Sequence, residues 1–349
     1  MKNLVITDRI KTLKDRMLAV PRYASIEQAK IITDTYTNHE DEPRIIQRAY
    51  SLKACLENIR ISAEPEELIV GNRTAGVRYG VVFPESGSTW VDKEFETLPT
   101  RPQDKFNIHE EDIKYFREVI YPYWQGKSLE DVLKSRYGKE IDEISKVAKI
   151  NQKDHAQGHI NPDCEGWLKK GPAGLKKEAE EYFEKETDED KKLFYKSIVL
   201  VMEGTINFIM RYHDLLLEQA EDNPEWADNM KNVALVCKNI AERPVQTFHE
   251  ASQSLWFLFV ILQMESNASS FSPGRMDMFM YPYYKHDIEA GIANNQDILD
   301  IIESLWLKFN EIVYMRNSNS AKFFAGFPIG FNIALGGEDA EGNAYENEL

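Results

Sequence analysis

The chain has 349 residues, of which 42% are hydrophobic, so it is long and apolar enough to bury a large core. Its formal net charge of −16 gives a surface that repels phosphate backbones and anionic lipid. Composition therefore argues against nucleic-acid and membrane-surface binding and favours the chemistry of small molecules.

The chain shows no targeting or membrane-spanning segment by pattern. The stretch from Met1 to Arg16 is largely polar, and the longest apolar run, Leu255 to Leu262, is too short to cross a bilayer. These features predict a cytoplasmic location.

The opening of the chain is predicted to be helical. Ser25 to Gln28 has the form of a capping box ahead of an apolar-periodic stretch. Further helical patterns run over residues 44–59, 108–123 and 128–150. Between them, residues 61–90 contain short apolar runs separated by glycines, which predicts an irregular region with few strands.

The middle of the chain alternates broken and helical patterns. Residues 151–174 carry many glycines and prolines and are predicted to lack regular structure. The charged run 184–192 indicates a solvated connection, and residues 194–216 and 229–242 have helical spacing.

A central helix and a strand are predicted in the last third. Thr247 to Glu250 has capping-box form, and the apolar run that follows is hydrophobic on every side, which is typical of a buried helix. Residues 327–335 fit a buried strand, and residues 336–342 fit a tight turn. No repeat or flexible linker interrupts the chain, so one helix-dominated unit is favoured.

Potential metal ligands are sparse. The cysteines are odd in number and widely spaced, without a Cys-x-x-Cys motif, which argues against a disulfide framework or a zinc site. His155 and His159 are four residues apart, but Gly158 makes a helix doubtful there, so no metal site is predicted. His159 alone could protonate a leaving hydroxyl, although a purely structural histidine fits the pattern equally well.

The segment from Glu265 to Asp277 is the most informative, because hydroxyl residues follow a fully apolar helix and precede a Pro-Gly turn. One interpretation is a ligand site. The other, which pattern alone favours, is that the serines satisfy helix-end carbonyls and that Arg275 and Asp277 form a buried ion pair. No phosphate-loop, Gly-x-Ser-x-Gly, His-Glu-x-x-His or dinucleotide motif is present. Their absence from the sequence argues against the common classes of hydrolase, kinase and dehydrogenase.

Several long motifs resemble glycyl radical enzymes of the pyruvate formate-lyase superfamily, and the resemblance runs nearly end to end. They are ELIVGNR, GHINPD, ESNASSFSPGRMD, MYPYY, ESLWLKFNEIV, AKFFAGFPIGFN and LGG. The sequences and the order of these motifs are most similar to the group that contains B12-independent glycerol dehydratase and the pyruvate formate-lyase-like proteins of enteric bacteria.

The resemblance implies a helix-rich α/β fold. The family fold is a ten-stranded α/β barrel made of two half-barrels, and this chain would supply its helical N-terminal region and first strands. Residues 1–349 would then form the N-terminal part of a single pyruvate formate-lyase-type domain, without the glycine radical domain.

The resemblance also implies a radical lyase. A stored glycyl radical generates a cysteine thiyl, which abstracts hydrogen from a substrate carbon so that a neighbouring group is eliminated. The catalytic cysteine and radical glycine motifs of the family do not occur here and are expected beyond Leu349, so this chain alone is expected to be inactive. Cys164, followed directly by Glu165, is interpreted as non-catalytic.

Cofactor and partner expectations follow from the resemblance alone. No cofactor or metal is expected to bind this chain directly, because the radical is installed by an activating enzyme that uses S-adenosylmethionine and an iron–sulfur cluster. The other expected partners are a small-molecule substrate and a second copy in a homodimer, in an anaerobic setting.

Motif alignment carries the expected substrate contacts onto this chain. His159 matches the family histidine that contacts the leaving hydroxyl, and Ser270 matches a serine that hydrogen-bonds substrate. Ser269 stands where glycerol dehydratase has a histidine, and Gly330 where it has a tyrosine. Both changes are expected to enlarge the pocket, which argues against glycerol and favours a larger polyol-like or phosphorylated substrate.

Two alternatives stay open at this point. One is acyl transfer similar to that of formate C-acetyltransferase. The other is a non-catalytic helical half that serves as a scaffold or binding module.

Overall fold

The computed structural model describes residues 4–148, 159–267, 270–325 and 332–349, and for His159 and Phe324 the backbone only. Helices dominate this part of the chain, as the sequence predicts. The helices of the first half are α1 Asp8–Ala19, α2 Glu27–Asn38, α3 Arg44–Asn58, α4 Ser88–Glu94, α5 Glu110–Tyr115, a π-helical turn Phe116–Ile120, α6 Tyr121–Trp124 and α7 Leu129–Ser145. Those of the second half are α8 Cys164–Lys185, α9 Glu189–Asp222, α10 Ala227–Glu242, α11 Phe248–Glu265, α12 Met276–Phe279, α13 Tyr281–Glu289, α14 Asn295–Glu311 and α15 Ser318–Phe324.

The strands are short and pair in parallel. They are β1 Ala24–Ser25 with β2 Gly80–Val81, and β3 His159–Ile160 with β4 Ser270–Phe271. Further parallel bridges join Tyr23 to Asn107, Gly80 to Val313 and Gly274 to Ile333. The described residues therefore form a helix-rich α/β fold in which strands far apart in sequence lie side by side.

The core is built around α11. This helix is apolar on every side, and nearly all of its residues are buried, including Trp256 and Phe257. A buried glutamine of the same helix, Gln253, accepts from the Val70 amide at 2.8 Å and donates to the Val70 carbonyl at 2.7 Å. The loop at residues 68–72 is thus held to the central helix without forming a strand.

A long helix, α9, packs along α3, α8 and α10. Its 34 residues include a stretch apolar enough to match a membrane span by length and composition, which the sequence analysis did not single out. Only 28% of that stretch is buried, and α9 carries Glu203, which pairs with Lys53 of α3 at 2.7 Å. Its helix–helix contacts fit a structural role inside this fold.

A buried ion cluster ties α14 to the irregular loop. Lys308 donates to Glu67 and, at 2.9 Å, to Glu311, and all three side chains are buried. Asn72 donates to the same Glu311 carboxylate at 3.2 Å. Burial by itself lowers the pKa of Lys308, but the adjacent charges of Glu311 and Glu67 raise it overall.

Two local predictions were wrong. The first helix after β1 starts at Glu27 with Ile26 at its cap position and no side-chain cap, so Ser25 does not open a capping box. Residues 164–174, expected to be irregular, belong to α8, which continues across a kink at Gly171 and Pro172. Gly171 has φ of 65°, a left-handed conformation that glycine adopts without strain.

The central helix begins as predicted. The Thr247 side chain accepts from the Glu250 amide at 3.2 Å, which forms the forward half of a capping box. The Glu250 carboxylate accepts from the Gln246 amide and from Arg243 instead of closing the box.

Candidate active site

Segments from two of the motifs, GHINPD and ESNASSFSPGRMD, meet at the β3–β4 pair. His159 lies opposite Ser270, and Ile160 lies opposite Phe271, in parallel register. The Ser272 amide extends the pairing by donating to the Ile160 carbonyl at 2.8 Å. The backbones of the two residues that the resemblance singled out are therefore direct neighbours, although they are 111 positions apart (159 and 270).

A third segment, residues 332–334, begins at the last residue of the AKFFAGFPIGFN motif and pairs with residues 270–274. Gly274 pairs with Ile333, and the Ala334 amide donates to the Gly274 carbonyl at 2.9 Å. The Asn332 amide donates to the Ser272 hydroxyl at 3.1 Å. Segments 159–161, 270–274 and 332–334 thus form one parallel patch with residues 270–274 in the middle.

Gly274 allows residues 270–274 to lie close to Asn161 of the first segment. Its φ is 73°, and a Cβ at this position would stand 2.8 Å from Asn161 Nδ2. A larger residue would have to push away the Asn161 side chain, which belongs to the first segment. The Pro-Gly turn therefore sets the spacing between two of the three segments.

The structure describes the four residues expected at the substrate to different extents. Ser270 is buried, with 6% of its surface exposed. His159 contributes its backbone to β3. Ser269, Gly330 and the His159 side chain lie outside the described residues, so the enlarged pocket stays a prediction.

The first segment leads directly into α8. Asp163 caps this helix by accepting from the Gly166 amide at 2.8 Å. Cys164 at the first helical position is buried, and burial raises the pKa of its thiol to about 12. At neutral pH it is therefore a protonated thiol, which is a poor nucleophile.

Arg275 and Asp277 form the ion pair that pattern alone favoured. The Arg275 Nε donates to Asp277 Oδ1 at 3.1 Å, and the Gly336 amide donates to Asp277 Oδ2 at 2.8 Å. Burial by itself raises the pKa of Asp277, but these two donors lower it below its usual range. Arg275 also donates to the Glu338 carbonyl at 3.0 Å, so the pair holds the turn after the third segment.

The end of α11 receives side-chain donors from other parts of the chain. The carbonyls of its last residues accept from Gln28, Arg48 and Arg73. Sequence reasoning missed these side chains, because Arg73 and its acceptor Gln263 are 190 residues apart and no local pattern connects them.

A small cavity lies between β2, residues 314–317 and Asn267, which precedes Ser270 by three positions. Its volume is about 10 Å³, enough for about one water molecule, and its wall includes Asn267, Tyr314 and Ser86. The Asn267 side chain is buried, and its Oδ1 has no partner among the described residues. The loop before Ser270 therefore carries a polar group available to an internal water.

A larger groove, of about 750 Å³, lies elsewhere, between α1, α10, α14 and the start of α11. None of its lining residues belongs to the three segments. Within the described ranges, no group of three or more histidine, cysteine or acidic side chains is arranged to hold a metal ion. The patch at β3 and β4 remains the candidate site.

Known proteins were compared with the whole chain. A family model described as pyruvate formate lyase-like matches residues 5–349. A probable dehydratase of Escherichia coli, YbiW, is 31% identical over 96% of this chain and 43% of its own length. The (2S)-3-sulfopropanediol dehydratase of Klebsiella oxytoca is 29% identical over 98% of this chain and 43% of its own length.

The fold agrees with that of a solved relative. The glycerol-bound form of the B12-independent glycerol dehydratase from Clostridium butyricum superposes with a TM-score of 0.93 and 32% identity, covering 99% of this chain and 45% of that protein. The chain thus spans less than half the length of the relatives that it matches. On the family match and this structural agreement, the chain belongs to the pyruvate formate lyase-like family.

Proposed function

We propose that this chain is the N-terminal part of a glycyl radical lyase of the dehydratase type, which acts by radical elimination on a polyol-like small molecule. The parallel register that sets His159 opposite Ser270 is the observation that carries this proposal. These are the two positions matched to family contacts with the substrate. The names of the three relatives, all dehydratases, support the same reaction type.

The strands fit the start of a barrel. Both strand pairs and the bridges Gly80–Val313 and Gly274–Ile333 are parallel, as in an α/β barrel. We infer that they are the first strands of a ten-stranded barrel made of two half-barrels. The carboxyl ends of these strands would then face the reacting centre, where α/β barrels bind their substrates.

The chemistry would be divided between this chain and the remainder of the protein. A cysteine thiyl, generated from a glycyl radical, supplies hydrogen abstraction and lies outside these residues. Within this chain, His159 would donate a proton to the departing hydroxyl, and Ser270 would orient the substrate by a hydrogen bond. The buried position of Ser270 fits a site from which water is excluded.

The same proposal includes partners. The radical would be installed by an activating enzyme that uses S-adenosylmethionine and an iron–sulfur cluster, and no cofactor would bind this chain directly. We place the protein in an anaerobic cytoplasm as a homodimer.

The substrate would be larger than glycerol. Ser269 and Gly330 replace a histidine and a tyrosine of glycerol dehydratase, which removes two polar groups and opens space. A longer or phosphorylated polyol fits such a pocket. Kinetic assays in which glycerol has the highest kcat/KM would refute this assignment.

The direct test is to express the complete reading frame anaerobically with its activating enzyme, record the electron paramagnetic resonance spectrum, and screen polyols and their phosphates for elimination. A glycyl doublet with turnover supports the lyase. A radical that forms while pyruvate and coenzyme A are the only productive substrates would favour the acyltransferase instead.

Variants of the complete protein test the site. Ser270→Ala is expected to lower kcat/KM by about tenfold to a hundredfold, the loss typical of one hydrogen bond in the transition state. Ser135→Ala is the matched control, because Ser135 is an exposed serine of α7 whose hydroxyl donates to the Val132 carbonyl at 3.1 Å. Equal kinetics for the two variants would remove Ser270 from the site.

A further inference from the structure

The end of α11 is held by side chains from three other parts of the chain. The last four carbonyls of a helix have no partner within it, and buried carbonyls need donors. Here each of the four receives one. The donors and acceptors are Ser266 N to Leu262 O at 3.0 Å, Arg73 Nη1 to Gln263 O at 3.2 Å, Gln28 Nε2 to Met264 O at 2.8 Å, and Arg48 Nη2 to Glu265 O.

Arg73 is unusual among these donors. It is 1% exposed, and within the described ranges no carboxylate accepts from it. Its Nη2 donates to the Val313 carbonyl at 2.6 Å. Burial lowers the pKa of Arg73 to about 10, which still leaves the guanidinium charged at neutral pH. The negative end of the α11 dipole is therefore part of what balances this buried charge.

The two carbonyls that Arg73 joins belong to the end of α11, which leads to β4, and to the segment that pairs with β2. Residue 263 is near the end of α11, which is followed within a few residues by Ser270. Val313 pairs with Gly80 of β2, and the next residues line the small cavity beside Asn267. One rigid, planar side chain thus sets the distance between the end of α11 and the segment that pairs with β2.

We propose that Arg73 is a positioning residue for β4, the strand that carries Ser270. Gln28 and Arg48 assist it by donating to the next two carbonyls of α11. The catalytic part of this inference rests on the proposed lyase function. The structural part, which is the placement of residues 270–274, does not.

A plain stabilising role is the competing explanation, and the chain offers a matched control for it. Arg211 of α9 donates to the Leu56 carbonyl at 2.8 Å and to the Ile59 carbonyl at 2.6 Å, at the end of α3. It is therefore a second arginine that bridges two carbonyls at a helix end. Residues 56–59 lead into the irregular loop and away from β4.

The first measurement is amide hydrogen exchange on the complete protein, followed in peptides that cover residues 262–274. Arg73→Lys keeps the charge but cannot hold both carbonyls in the fixed geometry of a guanidinium. We expect exchange in these peptides to speed up by about tenfold or more, and Arg211→Lys to leave them unchanged. Equal exchange in the two variants overturns the inference.

Gln28→Met is the second variant if Arg73→Lys does not fold. It removes one neutral donor, that to Met264 O, and nearly preserves the volume of a buried side chain. It is expected to speed exchange in the same peptides by several-fold. Exchange equal to that of the unaltered protein overturns the inference here as well.

The kinetic measurement uses the activated enzyme. Arg73→Lys is expected to lower kcat/KM by about tenfold or more while the glycyl radical signal per protomer is unchanged, whereas Arg211→Lys alters neither. Unchanged kinetics for Arg73→Lys overturn the positioning role. If the complete protein forms no radical, the proposed function fails, and the exchange experiment still decides whether Arg73 places the strand.

Discussion

Replacing Lys308 with methionine tests whether the buried ion cluster holds α14 against the loop. The side chains of Lys308, Glu67 and Glu311 are only 5%, 7% and 8% exposed. Methionine keeps most of the apolar stem of lysine but removes the charge, which leaves the carboxyl groups of Glu67 and Glu311 buried without their cation. Breaking a buried pair in this way costs about 3–5 kcal/mol, so we expect the free energy of unfolding to fall by about that amount at neutral to mildly alkaline pH.

The assay is urea unfolding of the purified chain, followed by far-ultraviolet circular dichroism. Lys176→Met is the control, because Lys176 is 28% exposed and pairs with Glu180 and Glu203 near the surface, where the expected change is below about 1 kcal/mol. The double variant Lys308→Met/Glu311→Gln should recover part of the loss by neutralising one orphaned carboxylate. A loss for Lys308→Met no larger than that of the control would refute the reasoning.

Three further predictions concern single residues. Burial, only partly opposed by Lys308, raises the pKa of Glu311 to about 7. The folded carboxyl therefore keeps a proton that the unfolded chain has released above about pH 4.3. The free energy of unfolding is expected to fall as pH rises from about 4.3 to about 7. Glu311→Gln should flatten this dependence in urea unfolding measured over a series of pH values. Gly171→Ala should lower the free energy of unfolding by about 1–2 kcal/mol, because a backbone φ of 65° strains any residue with a side chain. Gly174→Ala, in the same helix, is the control and should leave the free energy of unfolding unchanged or raise it by up to about 1 kcal/mol. Cys164 is buried, and burial raises the pKa of its thiol to about 12. A thiol reagent should therefore modify Cys164 slowly in the native protein and rapidly after unfolding. Fast labelling of the native protein would contradict this placement.

Local pattern predicted most of the helices, because helical spacing and polar connections are properties of neighbouring residues. The apolar run 255–262 predicted a central helix, and α11 is buried along nearly its whole length. The charged run 184–192 predicted a connection, and α8 ends at Lys185 while α9 begins at Glu189. The prediction was wrong at residues 164–174, where Gly171 and Pro172 bend a helix rather than end one.

The motifs identified the family, but local spacing could not show how they meet. The parallel register of His159 with Ser270, and of Gly274 with Ile333, joins segments separated by more than fifty residues. Parallel strands need long crossover connections, and the intervening helices α8 to α11 and α12 to α15 supply them.

By itself the sequence predicted most of the helices and the acidic charge, favoured the ion pair of Arg275 with Asp277 and, through its motifs, indicated the family. Only the tertiary structure decided which side chains satisfy the end of α11. A carbonyl at a helix end can accept from any donor that the fold brings near. Gln28, Arg48 and Arg73 reach those carbonyls from positions 190 to 236 residues away, a distance over which packing, not local preference, chooses the partner.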